Sequence, residues 1–234
     1  MTSGVLYGLG IGPGDPELIT LKAARLLSEV DVVAYPQVPG RESLARAIAA
    51  VHLPDDVEEL AFDVPMAVDR GPGQAAYDAA AAQIAAHLEA GRSVAVLCEG
   101  DPLFYGSFMY LNARLSGRFG VEIVPGVTSV GAASARLGKG LIARDERLSV
   151  ISATSPEADI LAALNGSASV AILKVGKHLA KVKAAVLAAE LMDVASYVER
   201  ASMAEERVVP LAQAPEKAPY FSMILVIKGA DPWL

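Results

Sequence analysis

Ser93-Val94-Ala95-Val96-Leu97-Cys98 is an uncharged, apolar run, and Glu99-Gly100-Asp101-Pro102 follows it at once. A strand that is apolar at consecutive positions must be buried on both faces, as in a parallel sheet with helices on either side. Other segments repeat the theme. Strand-like runs at Val5–Leu9, Val32–Tyr35 and Val121–Val124 alternate with helical spacing over Pro16–Val30, Ser43–Val51, Gly73–Ala90 and Phe108–Leu115. Asp15 before Pro16 is N-cap and N1 chemistry, and Gly91 suits the left-handed close of the long alanine-rich helix. Pro125-Gly126 is the best candidate boundary. Beyond it, helices at Val127–Leu137, Pro156–Leu164 and Lys177–Ala189 alternate with strands at Leu148–Ser152, Ala168–Leu173, Ala195–Val198 and Met223–Lys228. The expectation is an α/β protein of two lobes, 1–124 and 125–234, with a ligand cleft between them.

Charge and composition exclude several classes of function. The chain has 234 residues, 53% of them hydrophobic, which is too apolar for disorder. Its net charge of −7 disfavours nucleic acid as a partner, because phosphate backbones are held by Lys and Arg. No apolar stretch is long enough to span a membrane, and no secretory signal precedes Val5. The single cysteine, Cys98, forbids an internal disulfide and suits a reducing compartment, so a cytoplasmic location is expected. His52, His87 and His178 have no ligand spacing with one another or with Cys98, so no metal site is expected.

The loudest motif is Gly8-Leu9-Gly10-Ile11-Gly12-Pro13-Gly14-Asp15-Pro16. A dinucleotide fingerprint needs Gly-x-Gly-x-x-Gly, but the third glycine position falls on Pro13 or Asp15 in the two registers. No Gly-Lys-Ser/Thr follows, and Asp15 puts a negative charge where a helix N-terminus would meet a phosphate. The loop is therefore either a tight strand-to-helix turn or a backbone wall for a ligand other than a phosphate. The Glu99–Ser107 segment ends the buried strand, where ligands bind in open α/β sheets. Pro125-Gly126-Val127-Thr128-Ser129 forms a third strand-to-helix corner, whose hydroxyls can cap a helix or face a ligand. Arg136, Lys139, Arg144 and Arg147 against Asp145 and Glu146 make a locally basic segment, read either as solvated surface or as a docking site for an anionic substrate.

In this order and on strand ends, the three motifs resemble the tetrapyrrole methylases, the two-lobed α/β class of S-adenosylmethionine-dependent methyltransferases. The resemblance covers nearly the whole chain. The wording of 100–111 (Gly-Asp-Pro-Leu-Phe-Tyr-Gly-Ser-Phe-Met-Tyr-Leu) and of 121–129 is most like the branch that methylates a bridge carbon of a reduced tetrapyrrole. What the resemblance implies is S-adenosylmethionine held mainly by backbone, lined by Gly100, Asp101, Pro102 and Leu103 with Thr128 and Ser129 opposite. Val175, where family members place a Met-Gly pair, would touch the adenosyl side, with Ala201 and Phe221 as weaker carry-overs. A tetrapyrrole substrate would meet Arg136, Lys139, Arg144 and Arg147, and the protein would be a homodimer. Methylating a bridge carbon leaves a proton to be removed. Asp15 and Glu99 are the expected bases, facing each other in a shared low-dielectric site that raises the pKa of one. Another methylase of the same scaffold, or a tetrapyrrole carrier without turnover, fits the same residues.

Overall fold

A computed structural model describes residues 3–65 and 69–231. The chain divides into two compact units, Met1–Thr128 and Ser129–Leu234. In the first unit, strands β1 (Val5–Gly10), β2 (Val32–Gln37), β3 (Glu58–Asp63), β4 (Val94–Cys98) and β5 (Gly120–Val124) form one sheet of order β3-β2-β4-β1-β5. Every pairing in it is parallel. Helices α1 (Leu21–Leu27), α2 (Leu44–Ala49), α3 (Arg70–Glu89) and α4 (Phe108–Leu115) connect these strands.

The uninterrupted apolar run of β4 has the cause inferred for it. Val94, Val96 and Cys98 point into one core with Tyr77, Ile84 and Leu88 of α3 and Phe108 and Leu111 of α4. Ala95 and Leu97 point into a second core with Ala23, Leu26 and Leu27 of α1 and Ala45 and Ile48 of α2. Both faces are dry, which is the reason no polar residue alternates into the strand.

The second unit is a mixed sheet of order β6-β7-β10-β8-β9. Its strands are β6 (Leu148–Ser152), β7 (Ser169–Leu173), β8 (Ala195–Glu199), β9 (Arg207–Pro210) and β10 (Ser222–Ile227). Only β6 and β7 pair in parallel; β10 runs antiparallel to both β7 and β8, and β8 to β9. Helices α6 (Glu157–Gly166) and α7 (Leu179–Ala188) cover one face, and α5 (Ser129–Leu137) supplies Val130 and Ala133 to the other. Continuous burial of β10 therefore marks two covered faces and not strand direction.

Several local expectations need correction. Pro16–Val30 is not one helix. Asp15 Oδ1 accepts the Glu17 N–H (2.9 Å) over a 3-10 turn at Pro16–Leu18, and Thr20 then caps α1 anew by accepting the Ala23 N–H. The alanine-rich helix starts at Arg70, with Asp69 as its cap, because a proline in the first turn lacks only an N–H that the helix does not need. α5 begins at Ser129 instead of Val127. Strands β3 and β9 were not anticipated. Both are edge strands, β3 charged (Glu58, Glu59, Asp63) and β9 ending in Pro210, as exposed edges tend to be.

Candidate active site

Three loops meet at the carboxyl ends of β1, β4 and β5. The Ile11 N–H donates to the Cys98 carbonyl (3.0 Å), and Gly12 and Gly100 exchange N–H···O bonds of 3.3 and 2.7 Å. Glycine is required here by contact. A Cβ on Gly126 would lie 2.0 Å from the Gly100 carbonyl oxygen, and one on Gly10 would lie 2.5 Å from the Gly126 nitrogen. Gly100 differs. It is buried with φ +70°, yet a Cβ there would meet only the Val127 carbonyl oxygen, at 3.8 Å. The Gly100 backbone is therefore bare, with no close atom in the direction that a side chain would take.

Asp101 holds this arrangement. Its Oδ1 accepts the N–H groups of Leu103 (2.9 Å) and Phe104 (3.0 Å), and its Oδ2 accepts the N–H of Gly126 (3.1 Å). The carboxylate thus closes its own turn and ties that turn to the Pro125-Gly126 corner. Pro102 is buried, whereas Leu103, Phe104, Tyr105, Met109 and Tyr110 expose apolar surface along one short stretch. Tyr105 is held at φ +57°, a conformation that non-glycine residues adopt at some energetic cost. Thr128 and Ser129 are half-buried at the start of α5.

The two expected bases have different surroundings. Asp15 is half-buried and accepts the Glu17 N–H as the cap of its 3-10 turn. Glu99 is half-buried at the end of β4, and burial pushes its carboxyl pKa up against the opposing pull of its own and the Ala45 backbone N–H groups. Asp15 is not among the causes of that shift, so desolvation, and not a facing pair of carboxylates, perturbs Glu99. Beneath it, burial raises the Cys98 thiol and the Tyr77 phenol, each to about 12, so both stay protonated and Cys98 is core.

The carry-over positions of the second unit also converge. The Val175 N–H donates to the Ser222 carbonyl (3.2 Å), the Gly176 N–H to Ser222 Oγ (3.2 Å), and the Arg200 N–H to the Phe221 carbonyl (2.8 Å). Segments 174–176, 200–202 and 220–222 are thereby laced together at one end of the sheet. Lys174, Arg200 and Ser202 all have positive φ, a concentration of strain that no residue type here signals, since none of the three is glycine. Val175 and Ala201 direct their side chains into the unit's cores, so what they can offer a ligand is backbone. Phe221 is exposed and stacks edge-on against Tyr220, with centroids 5.1 Å apart.

The basic segment is partly neutralised. Arg136 pairs with Glu206, and Arg144 Nε lies 3.4 Å from Asp231 Oδ2. Lys139 and Arg147 are exposed and make no ion pair among the described residues. Among the described residues there is no His/Cys/Asp/Glu group able to hold a metal, and no helix long and apolar enough to cross a membrane.

A parallel sheet whose strand-end loops touch through bare glycine backbone, joined in one chain to a mixed-sheet α/β unit, defines a two-unit α/β protein. Residues 5–215 match the model of the Tetrapyrrole (Corrin/Porphyrin) Methylases, and the chain belongs to that family. It is 46% identical over 97% of its length to the cobalamin biosynthesis protein CobIJ of Mycobacterium tuberculosis, but it spans less than half (46%) of that protein. It is 42% identical to the precorrin-2 C(20)-methyltransferase of Sinorhizobium sp, covering 95% of each chain, and 36% identical to the cobalt-precorrin-2 C(20)-methyltransferase of Salmonella typhimurium, covering 97% of each. The crystal structure of uroporphyrin-III C-methyltransferase from Thermus thermophilus, complexed with S-adenosylhomocysteine, superposes with a TM-score of 0.69. Identity there is 26%, and coverage is 96% of this chain and 92% of that one.

Proposed function

We propose that this protein transfers a methyl group from S-adenosylmethionine to C-20 of precorrin-2, giving precorrin-3A in cobalamin biosynthesis. The observation that carries the reading is the end-to-end 42% identity with a precorrin-2 C(20)-methyltransferase. The strand-end geometry is the physical support. The glycine contact among Gly10, Gly100 and Gly126 builds a wall with no phosphate fingerprint, and the bare Gly100 backbone would let a ligand approach closely. A relative crystallised with S-adenosylhomocysteine is consistent with that choice of cofactor.

Gly100, Asp101, Pro102 and Leu103 would hold the cofactor, Asp101 by fixing the turn and the others by contact. Thr128 and Ser129 offer hydroxyls, and Val175, Ala201 and Phe221 would contribute on the adenosyl side. When bound, S-adenosylmethionine supplies an electrophilic methyl group on a cationic sulfonium. The protein's share is mainly to position the reactants, worth several kcal/mol of barrier at most sites of this kind, on the order of 7–11 when alignment is complete. Glu99 would take the proton left at the methylated carbon. A carboxylate whose pKa is raised by burial is a stronger base than a solvated one. Asp15, occupied as a cap, is the second candidate. Lys139 and Arg147, unpaired by acids, are available to substrate carboxylates, more so than Arg136 and Arg144. The same reading carries a homodimer, on family likeness, working in the cytoplasm, a reducing compartment that the single cysteine suits.

Purified protein is incubated anaerobically with S-adenosylmethionine and, separately, precorrin-2, cobalt-precorrin-2 and uroporphyrinogen III, and products are resolved by mass spectrometry. One added methyl on precorrin-2 is the expected result. Preference for the cobalt-bearing substrate, which the Salmonella relative's name makes the second reading, would move the assignment. Tetrapyrrole binding without methylation would leave a carrier.

A further inference from the structure

The second unit carries a group of cations to which the proposed function gives no role. Lys174, Lys177, Lys181 and Lys183, with the imidazole of His178 among them, fall within 174–183 with no acidic residue between them, on a chain of net charge −7. Three observations gather the middle of this group at one place. The carboxyl ends of β6 and β7 lie side by side, with Ser152 in register with Leu173 and the Ala153 N–H donating to the Leu173 carbonyl (2.7 Å). In the turn that follows β6, the hydroxyls of Ser152 and Thr154 are 2.8 Å apart, and Lys181 Nζ, from α7, donates to the Ser155 carbonyl (2.7 Å). His178 is held below the usual imidazole range by burial, and then by the charges of Lys181 and Lys177. No carboxylate is among the influences on it. The nearest acids in sequence, Glu157 and Asp159, lie in the first turn of α6, where a helix N-terminus favours them.

Phosphate is a poor match for this patch. Phosphate sites use convergent backbone N–H groups, and here the Val175 and Gly176 N–H groups go to Ser222 and the His178 N–H goes to the Val175 carbonyl (2.6 Å). What is left is separately placed side-chain cations beside hydroxyls, a geometry suited to carboxylates dispersed around a large ring. We propose that Lys177, His178 and Lys181, with the Ser152 and Thr154 hydroxyls, anchor the peripheral carboxylates of the tetrapyrrole substrate. The proposal rests on the methyl-transfer reading for the identity of the ligand. It explains why Arg136 and Arg144 can be paired with acids without leaving the substrate unheld.

The test reverses one exposed charge, Lys177→Glu, and makes the same change elsewhere on the unit, Lys217→Glu, as the control for net charge. Lys177→Gln accompanies them should the reversal disturb folding. Affinity for uroporphyrin III is measured by fluorescence quenching at two salt concentrations, and affinity for S-adenosylhomocysteine by calorimetry. The expected result is a roughly tenfold loss of porphyrin affinity in Lys177→Glu and a smaller one in Lys177→Gln, both shrinking at high salt, with Lys217→Glu near wild type and S-adenosylhomocysteine unaffected. Equal porphyrin affinity in all variants overturns the proposal, as does an equal loss in the control. Loss of S-adenosylhomocysteine affinity would overturn it by assigning the cations to the cofactor's carboxylate, and displacement of porphyrin by millimolar inorganic phosphate would overturn it by showing a phosphate site. Turnover of precorrin-2 by the wild type is scored separately; its absence defeats the methyl-transfer reading, while the charge dependence of porphyrin binding is still read without turnover.

Discussion

Removing the Asp101 carboxylate should unfasten the Asp101–Phe104 turn from the Gly126 corner before it removes any direct contact with a ligand. The side chain accepts three backbone N–H groups, two from its own turn and one from Gly126. In Asp101→Ala the Leu103 and Phe104 amides are exposed enough to find water, whereas the Gly126 amide is part-buried and is left short of a partner. An unsatisfied buried N–H costs about 1–3 kcal/mol, and each bond to a charged acceptor that is partly replaced by water contributes a further fraction, for a total of about 2–4 kcal/mol. At roughly 2–4 °C per kcal/mol for a chain of this size, Tm should fall by about 4–16 °C. Asp101→Asn is the more informative variant. Its carbonyl can keep the Leu103 and Phe104 bonds, but its amide then presents a donor to the Gly126 N–H. The assay pairs calorimetric S-adenosylhomocysteine binding with amide hydrogen exchange at Leu103, Phe104 and Gly126. Asp101→Asn should lose protection at Gly126 selectively and weaken binding at least tenfold, and Asp101→Ala should lose protection at all three. Unchanged exchange and Tm in both variants, with binding abolished, would refute the reasoning and make Asp101 a direct ligand.

Glycine substitutions should rank by contact: Gly126→Ala puts a Cβ 2.0 Å from the Gly100 carbonyl and should abolish cofactor binding or soluble expression, while Gly100→Ala meets no close atom and should lower stability by about 1–2 kcal/mol from its φ of +70° alone. Comparable melting of the two would contradict the close approach. Because burial raises the pKa of Glu99 in the fold, native Glu99 keeps its proton where the unfolded chain has lost it; stability is therefore lost as pH rises from the unfolded pKa, near 4.5, through the folded one. Glu99→Gln should thus gain stability over wild type at neutral pH and not at pH 4, while kcat falls roughly 10²–10⁴-fold; a variant with normal kcat would show that Glu99 is not the base. Lys139→Glu and Arg147→Glu should raise the substrate KM, whereas Arg144→Glu, which replaces the partner of the largely buried Asp231 carboxylate, should change KM little. Equal KM changes in all three would show that the ion pair does not withdraw Arg144 from substrate.

Most of the first unit was legible because its pattern is physical and local. A strand buried on both faces cannot hide its apolar run, and Ser93–Cys98 is the sheet's interior strand β4 for that reason. Of the edge strands, β5 and β6 are legible, whereas β3 and β9 are not, because exposure lets charge and proline into them, as in Glu58–Asp63. Strand direction in the second unit escaped for another reason. Residues 222–227 are apolar throughout whether the neighbours run parallel or antiparallel, since helices cover both faces. At the candidate site, the glycines were visible as glycines, but which backbone each one faces depends on three loops far apart in sequence. The roles of Asp101 as a staple and Asp15 as a cap, and the pairing of Arg136 with Glu206 seventy positions on, follow from tertiary contacts that no local pattern encodes. Left-handed Lys174, Arg200 and Ser202 likewise lie in segments set by tertiary contacts, the Val175 and Arg200 N–H groups bonding to residues 221–222 and the Ser202 N–H to Glu206.

The most direct measurement is carbon NMR of the product formed from precorrin-2 and S-adenosylmethionine labelled with ¹³C in its methyl group, under anaerobic turnover by the purified protein. One enriched methyl signal whose protons correlate with the C-20 bridge carbon in a long-range proton–carbon spectrum, with S-adenosylhomocysteine formed in equal amount, is the predicted result. Label at a pyrrole carbon or at another bridge position, or no label in the tetrapyrrole at all, would contradict it.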